Sequence, residues 1–425
     1  FIPEDPNLKN YINPGLDPFL SSFFSIRVQK ISDDQLKYQS YQKLLYGPWG
    51  VPEVDRIPPI EIKEAVIKPP DGINQQKAAD AIIGSIMASA VFDMIGVGVE
   101  FINDVVAKPL LLGKMSIAWS HPRCNKHNKR FIRGTPTDDT SQCILIMRTI
   151  VGLNSKQETQ IKNERKDDNK SSNLSSSFSV DNVKIDPKVF AFKLIEWMKR
   201  GHYEHNQHGG LGIGSTTLAV VKHPKYLSDP IYAAKDVWIQ SGKKVAPNGS
   251  VMRIASSGSF AFWNEKVVIE NAEKYAKVTH SDPRCIYSSI AAALLIARYI
   301  QWNAGLSGEN EPNIDQTLEY AKHLVHGTEQ YERDINFYSY CDSLEKLQLS
   351  ESGKIGYCLK AFGSAVWALR YCNSIEEGLT KVIREGGDAD TNGAVVGALL
   401  GAKYGFKNIP KEFIEFMFVG QWRFR

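Results

Sequence analysis

The chain has 425 residues, 43% of them hydrophobic, with nearly balanced acids and bases that leave a net charge of +4. That length buries a substantial core in one large domain or a few ordinary ones. The charge balance gives no case for a nucleic-acid surface or an acidic tail, and leaves room for a small polyanionic ligand. The six cysteines (Cys124, Cys143, Cys285, Cys341, Cys358 and Cys372) show no CxxC spacing. Their scatter predicts reduced core thiols in an intracellular protein, cytoplasmic or nuclear, although an even count leaves disulfides open.

Residues 1–75 read as a Pro-rich extension in which only Asp33 to Leu45 offers a helix. Its aromatics, among them Phe19, Phe23, Tyr41 and Trp49, predict that it lies against the main body, residues 76–425. The start at Phe1 rather than Met allows for a trimmed amino terminus. From Asn74 the character changes, and Ala78, Ala79, Ile82, Ile83, Ile86, Met87 and Val91 predict a closely packed helix. It leads to Asp93, Gly96, Gly98 and Glu100, acids that serve either as loop and capping residues or as a carboxylate set aimed at a site. His121, Cys124 and His127 have the spacing of half a zinc site, but no second pair lies nearby.

Thr137-Asp138-Asp139-Thr140 precedes an apolar run with helical spacing, Cys143, Ile144, Met147, Ile150 and Val151. One aspartate there is an ordinary cap, whereas two adjacent ones repel and call for a cation. The Ser-rich stretch near 155–182 predicts a disordered insertion. Asp186-Pro187 opens a helix. The segment His202 to Thr217 is dense in glycine, with Ser215, Thr216 and Thr217 expected to cap the next helix, and its three histidines lack a completing carboxylate or thiol. Pro247 to Arg253 forms a second loop, read either as an amide-rich phosphate cradle or as an ordinary Asn-Gly turn.

Thr279 to Pro283 caps the helix Cys285 to Ile300, whose apolar run Ile286 to Ala297 is interrupted by Ser288 and Ser289 and looks too short for a bilayer. Helical patterns follow over Ile314 to Val325, Ile355 to Leu369 and Ser374 to Arg384. The chain then turns at Gly386-Gly387-Asp388-Ala389-Asp390-Thr391 into the small-residue helix Ala394 to Tyr404. This second oxygen-only cluster, like the first, suits Mg²⁺, Mn²⁺ or Ca²⁺ rather than zinc. Two such helix starts facing each other can hold two divalent ions about 4 Å apart. Strand signals are almost absent, so the fold class expected is all-α: a compact helical bundle with functional loops around a dinuclear metal cleft.

These motifs in this order, from the Asp93 to Glu100 segment through Thr137 to Thr140, Gly212 to Thr217, Asn248 to Arg253 and Thr279 to Pro283 to the Gly386 to Thr391 turn, resemble the ADP-ribosylglycohydrolase family over Ala79 to Phe406. The resemblance implies an orthogonal all-α bundle that holds two Mg²⁺ ions and hydrolyses the bond between ADP-ribose and a protein side chain, or a related ADP-ribose conjugate. It implies metal ligation by Thr137, Asp138, Asp139, Asp388, Asp390 and Thr391, catalysis by Glu100 or Asp139, and substrate binding by Gly212, Ile213, Gly214, Ser215, Asn248, Gly249, Ser250 and Met252. It leaves the linkage open among arginine, serine, O-acetyl and polymeric ADP-ribose. No nucleic-acid or membrane partner is expected, and the chain is taken as a monomer. Phe92 and Met94, where many relatives carry glycine and a small residue, depart from the pattern at the mouth of the site. Two rivals stand beside this reading: a non-catalytic, crystallin-like binder on the same scaffold, and a two-metal nucleotide phosphohydrolase.

Overall fold

The computed structural model describes residues 70–110, 127, 130–131, 134–150, 186–202 and 209–419. The extension up to residue 69, the insertion near 155–182, Cys124 and the histidines within 203–208 lie outside the described residues. The fold is all-α, and among the described residues the extended pairings are the isolated bridges Ile102 with Gly387 and Pro247 with Tyr357.

In chain order the helices are α1 (Gln75–Gly96), α2 (Asp104–Leu110), α3 (residues 138–150), α4 (Pro187–Arg200), α5 (Ser215–Val221) and α6 (Pro230–Gln240). Then follow α7 (Ala255–Ser259), α8 (Glu265–Lys277), α9 (Pro283–Asn303), α10 (Ile314–His323) and α11 (Glu329–Ser339). The series closes with α12 (Leu344–Leu347), α13 (Cys358–Tyr371), α14 (Ile375–Ile383), α15 (Ala389–Tyr404) and α16 (Lys411–Val419). Side-chain caps set several starts: Asn74 accepts from Lys77 N–H, Asp186 from Lys188 N–H, Asp282 from Arg284 N–H and Ser374 from Glu377 N–H. At α5 the expectation fails. Gly214 occupies the cap without a side-chain bond, and Ser215 is already the first helical residue. Helix α13 starts at Cys358 rather than Ile355, because residues 354–356 are spent on a turn.

The centre of the fold is the pairing of α1 with α15. Gly393, Gly397 and Gly401 recur every four residues down one face of α15, and a Cβ on any of them would press on the backbone of Phe92, Ala88 or Gly84 in α1. From the other side, a Cβ on Gly96 would strike the backbone of Ala389 and Asp390. Backbones in this contact gain dispersion along their whole length. The pairing also fixes the N-terminal end of α15 against the C-terminal end of α1, where Asp93 sits. Helices α9, α13 and α14 cover the remaining faces of α15. A second apolar cluster joins Ile146 of α3, Leu194 and Trp197 of α4, Val221 of α5, Ala233 of α6 and Tyr275 of α8.

Helices α1 and α9 are, by length and composition alone, apolar enough to cross a membrane, yet 83% of the most apolar window of each is buried inside the protein. The sequence reading underestimated α9, which runs 21 residues because its apolar face continues past Ser288 and Ser289. Those hydroxyls donate to the Cys285 carbonyl, so a buried helix carries them without an unpaired donor. Cys143, Cys285, Cys341, Cys358 and Cys372 are buried free thiols.

Candidate functional site

The two acidic clusters sit on helix starts that face one another, and each helix begins earlier than its apolar pattern does. Asp138 and Asp139 lie in the first turn of α3, while Asp388 precedes α15 and Asp390 and Thr391 lie in its first turn. The turn into α15 needs left-handed backbone at Gly386 and Gly387, with φ of +66° and +70°. A Cβ there would collide with the carbonyl of Ile102 or of Leu349. Phe101 N–H donates to the Gly387 carbonyl (2.6 Å) and Gly387 N–H to the Ile102 carbonyl (2.8 Å). Glu100 is thereby stapled beside Asp388 and Asp390.

One oxygen from each of Asp93, Asp139 and Asp390 lies within 4.8 Å of the others, and so do oxygens of Glu100, Asp388 and Asp390. Asp390 belongs to both triads. Thr137 donates its hydroxyl to Asp139 Oδ2 at 3.1 Å. Burial pushes the carboxyls of Asp138, Asp139 and Asp390 well above the usual range, and their negative neighbours push further. Glu100 is raised by burial too, opposed by His127 at 3.0 Å.

Asp93 serves the site as a cap. It accepts Thr137 N–H (2.9 and 3.0 Å), Thr140 N–H (3.0 Å) and the Thr140 hydroxyl (2.6 Å), so α3 is capped by a carboxylate from α1. Burial pushes it up to about 6 against those hydrogen bonds. Both sequence readings of Asp93 therefore meet in one residue.

The loops divide. Asn248 is drawn in: its side-chain amide donates to Asp388 Oδ2 at 2.9 Å, and the Pro247–Tyr357 bridge anchors its backbone. Gly212, at φ +91°, passes so close to Asp138 that a Cβ would strike Oδ1. Ile213 packs on the apolar cluster behind it, while Gly214 and Ser215 are exposed. Gly249 lies against the His280 ring, Ser250 turns its hydroxyl to the Cys285 carbonyl (3.4 Å), and Met252 is buried. Asp138 stands outside both triads and accepts the Gln142 side-chain N–H on Oδ2 at 2.9 Å.

Sequence reasoning passed over Gln142 and Gly356. Gln142 was readable as the i+4 neighbour of Asp138 on a helix. His127 was weighed only as a zinc ligand. Gly356, where a Cβ would come within 3.4 Å of Asp388 Oδ2, carries no local signal.

The residues present fit hard divalent cations. Among the described residues no lysine or arginine pairs with Asp139, Asp388 or Asp390, and Asp139 Oδ1 is buried without a hydrogen-bond partner. Uncompensated buried carboxylates cost several kcal/mol each, and an oxygen-only donor set suits Mg²⁺ or Mn²⁺.

A family model described as ADP-ribosylglycohydrolase matches residues 74–422. The chain is 21% identical to the ADP-ribosylarginine hydrolase Tri1 of Serratia proteamaculans over 82% of its own length and 78% of that protein. It is 27% identical to the ADP-ribosyl-[dinitrogen reductase] glycohydrolase of Rhodospirillum rubrum over 40% of its length and 50% of that protein. Among solved structures it resembles an ADP-ribosylglycohydrolase-related protein complex, with a TM-score of 0.50 and 22% identity, covering 80% of this chain and 93% of that one.

Proposed function

The chain belongs to the ADP-ribosylglycohydrolase family, and on that premise we propose that it is a magnesium-dependent hydrolase that releases ADP-ribose from modified protein side chains, arginine foremost. Its place among hydrolases of ADP-ribose conjugates rests on the family and on the two named relatives. The observation that carries the reading is the convergence of both acidic helix starts on Asp390, shared between two carboxylate triads.

Thr137, Asp138, Asp139, Asp388, Asp390 and Thr391 would hold two Mg²⁺ ions, with Mn²⁺ as a substitute. Bound there, the ions supply Lewis acidity and an acidified water. The protein does the rest. Cleavage at the anomeric carbon develops oxocarbenium charge, which the buried carboxylates around it stabilise. Asn248 fixes the rotamer of Asp388 by its amide bond. The Gly212 and Asn248 loops lie against Asp138 and Asp388, and there ribose and diphosphate are to sit.

Glu100 or Asp139 takes the proton from the attacking water. For Asp139 the acceptor is its unpartnered Oδ1; for Glu100 the proton has an exit through His127, which reaches solvent. Arginine linkage is favoured by the Serratia relative, and by Phe101, whose ring is half exposed beside Glu100 and can stack on a guanidinium.

The test is release of ADP-ribose from arginine-linked and serine-linked peptides side by side, with and without Mg²⁺. Mg²⁺-dependent release from the arginine peptide supports the reading. Release of phosphate or AMP identifies a phosphohydrolase, and retention of ADP-ribose without any product identifies a binder. Glu100→Gln and Asp139→Asn, if both turn over normally with metal bound, remove the assigned proton relay.

A further inference from the structure

Arg253 is among the largest fully buried side chains, and among the described residues it forms no ion pair with a carboxylate. Its guanidinium donates to Gln142 Oε1 (2.5 Å), to the Tyr275 carbonyl (2.7 Å) and to Thr279 Oγ1 (2.7 Å), and lies 4.8 Å from the centre of the Phe190 ring. Gln142, also fully buried, donates its amide to Asp138 Oδ2. A guanidinium has donors only, so the amide oxygen of Gln142 has to face Arg253 and its nitrogen has to face Asp138. Without that neighbour the amide is free to flip, presenting oxygen to oxygen.

We propose that Arg253, acting through Gln142, is a positioning residue for the site: it locks the Gln142 amide so that Asp138 keeps Oδ2 in the protein and offers only Oδ1 to the cation beside the Gly212 loop. The opposite edge of Asp138 supports this, because a side chain at position 212 would strike Oδ1 and glycine leaves that oxygen uncovered. A carboxylate held by one oxygen has one orientation. The inference rests on the cation reading given above.

The experiment uses the full chain, with Mn²⁺ affinity read by electron paramagnetic resonance and the melting of the metal-free protein followed in parallel. Gln142→Met is expected to weaken Mn²⁺ binding about tenfold, the usual cost of losing a group that orients a ligand. Arg253→Met falls as far, and Arg253→Lys, which keeps one donor for Gln142, recovers most of the loss. The double variant Gln142→Met/Arg253→Met removes both polar partners together, so no buried donor is stranded between them, and it binds no more weakly than Gln142→Met alone. Folded single variants that bind Mn²⁺ within about twofold of the parent overturn the relay, as do losses that add in the double variant. A parent protein that binds no Mn²⁺ overturns the cation reading itself, which separates the two failures.

Discussion

The starts of α3 and α15 share a chemistry, adjacent carboxylates and threonine hydroxyls, but they are built differently. The α3 start is backed by a wall: Asp93 satisfies its backbone, Gln142 holds Asp138, and Arg253, Thr279 and His280 stand behind, while Asp139 keeps a buried oxygen without a partner. The α15 start is left open. Asp388 makes no capping bond of its own and receives the Asn248 amide, while Asp390 accepts the adjacent Thr391 N–H. A wall of satisfied groups sets position, and a face of unsatisfied carboxylates does chemistry. Changes to Asp93 and His280 are therefore expected to cost stability, and changes to Asp139, Asp388 or Asp390 activity.

The largest expected effect tests the open side. Asp390→Asn removes the carboxylate common to both triads and is expected to lower kcat by on the order of 10³ while the metal-free protein melts no lower than the parent; steady-state kinetics and thermal melting decide it, and a lower melting point would erase the contrast. Next comes the wall. Asp93→Ala strands the N–H groups of Thr137 and Thr140 and is expected to cost about 2 kcal/mol in chemical denaturation, by loss of a buried cap.

A pH experiment sharpens the wall further. Burial holds His280 down to about 3, with Arg253 adding to the shift. The unfolded chain then binds the extra proton first, so stability is intact above about pH 6.5 and is lost as pH falls toward 3, by about 1.4 kcal/mol per unit. His280→Gln should flatten that part of the acid limb in urea titrations at pH 5 and pH 7. The smallest effect lies at the rim: Phe101→Ala is expected to raise KM for an arginine-linked peptide about threefold with kcat unchanged, the size of one exposed cation–π contact. An equal rise for a serine-linked peptide would refute guanidinium stacking.

Much of this was legible in the chain. Helix periodicity and cap residues located α1, α4, α9, α13 and α14 to within a few residues, because capping and apolar spacing are local. Both acidic clusters stood out for the same reason. The threonine caps expected at α5 did not form, since the chain there follows Gly212 past Asp138 and leaves Gly214 at the cap. Asn248 was legible as part of a loop, but the partner of its side-chain amide, Asp388, was not.

The sequence by itself determined the all-α class, the small-residue face of α15 and the oxygen-only donors at two helix starts, because residue type and spacing suffice for these. Only the tertiary structure decided that the glycines of α15 meet Gly84, Ala88 and Phe92, that Asp93 caps α3 from α1, and that Asp390 stands between two triads. Such pairings join residues tens to hundreds of positions apart, and the steric fit that selects them exists only once the backbones have come together.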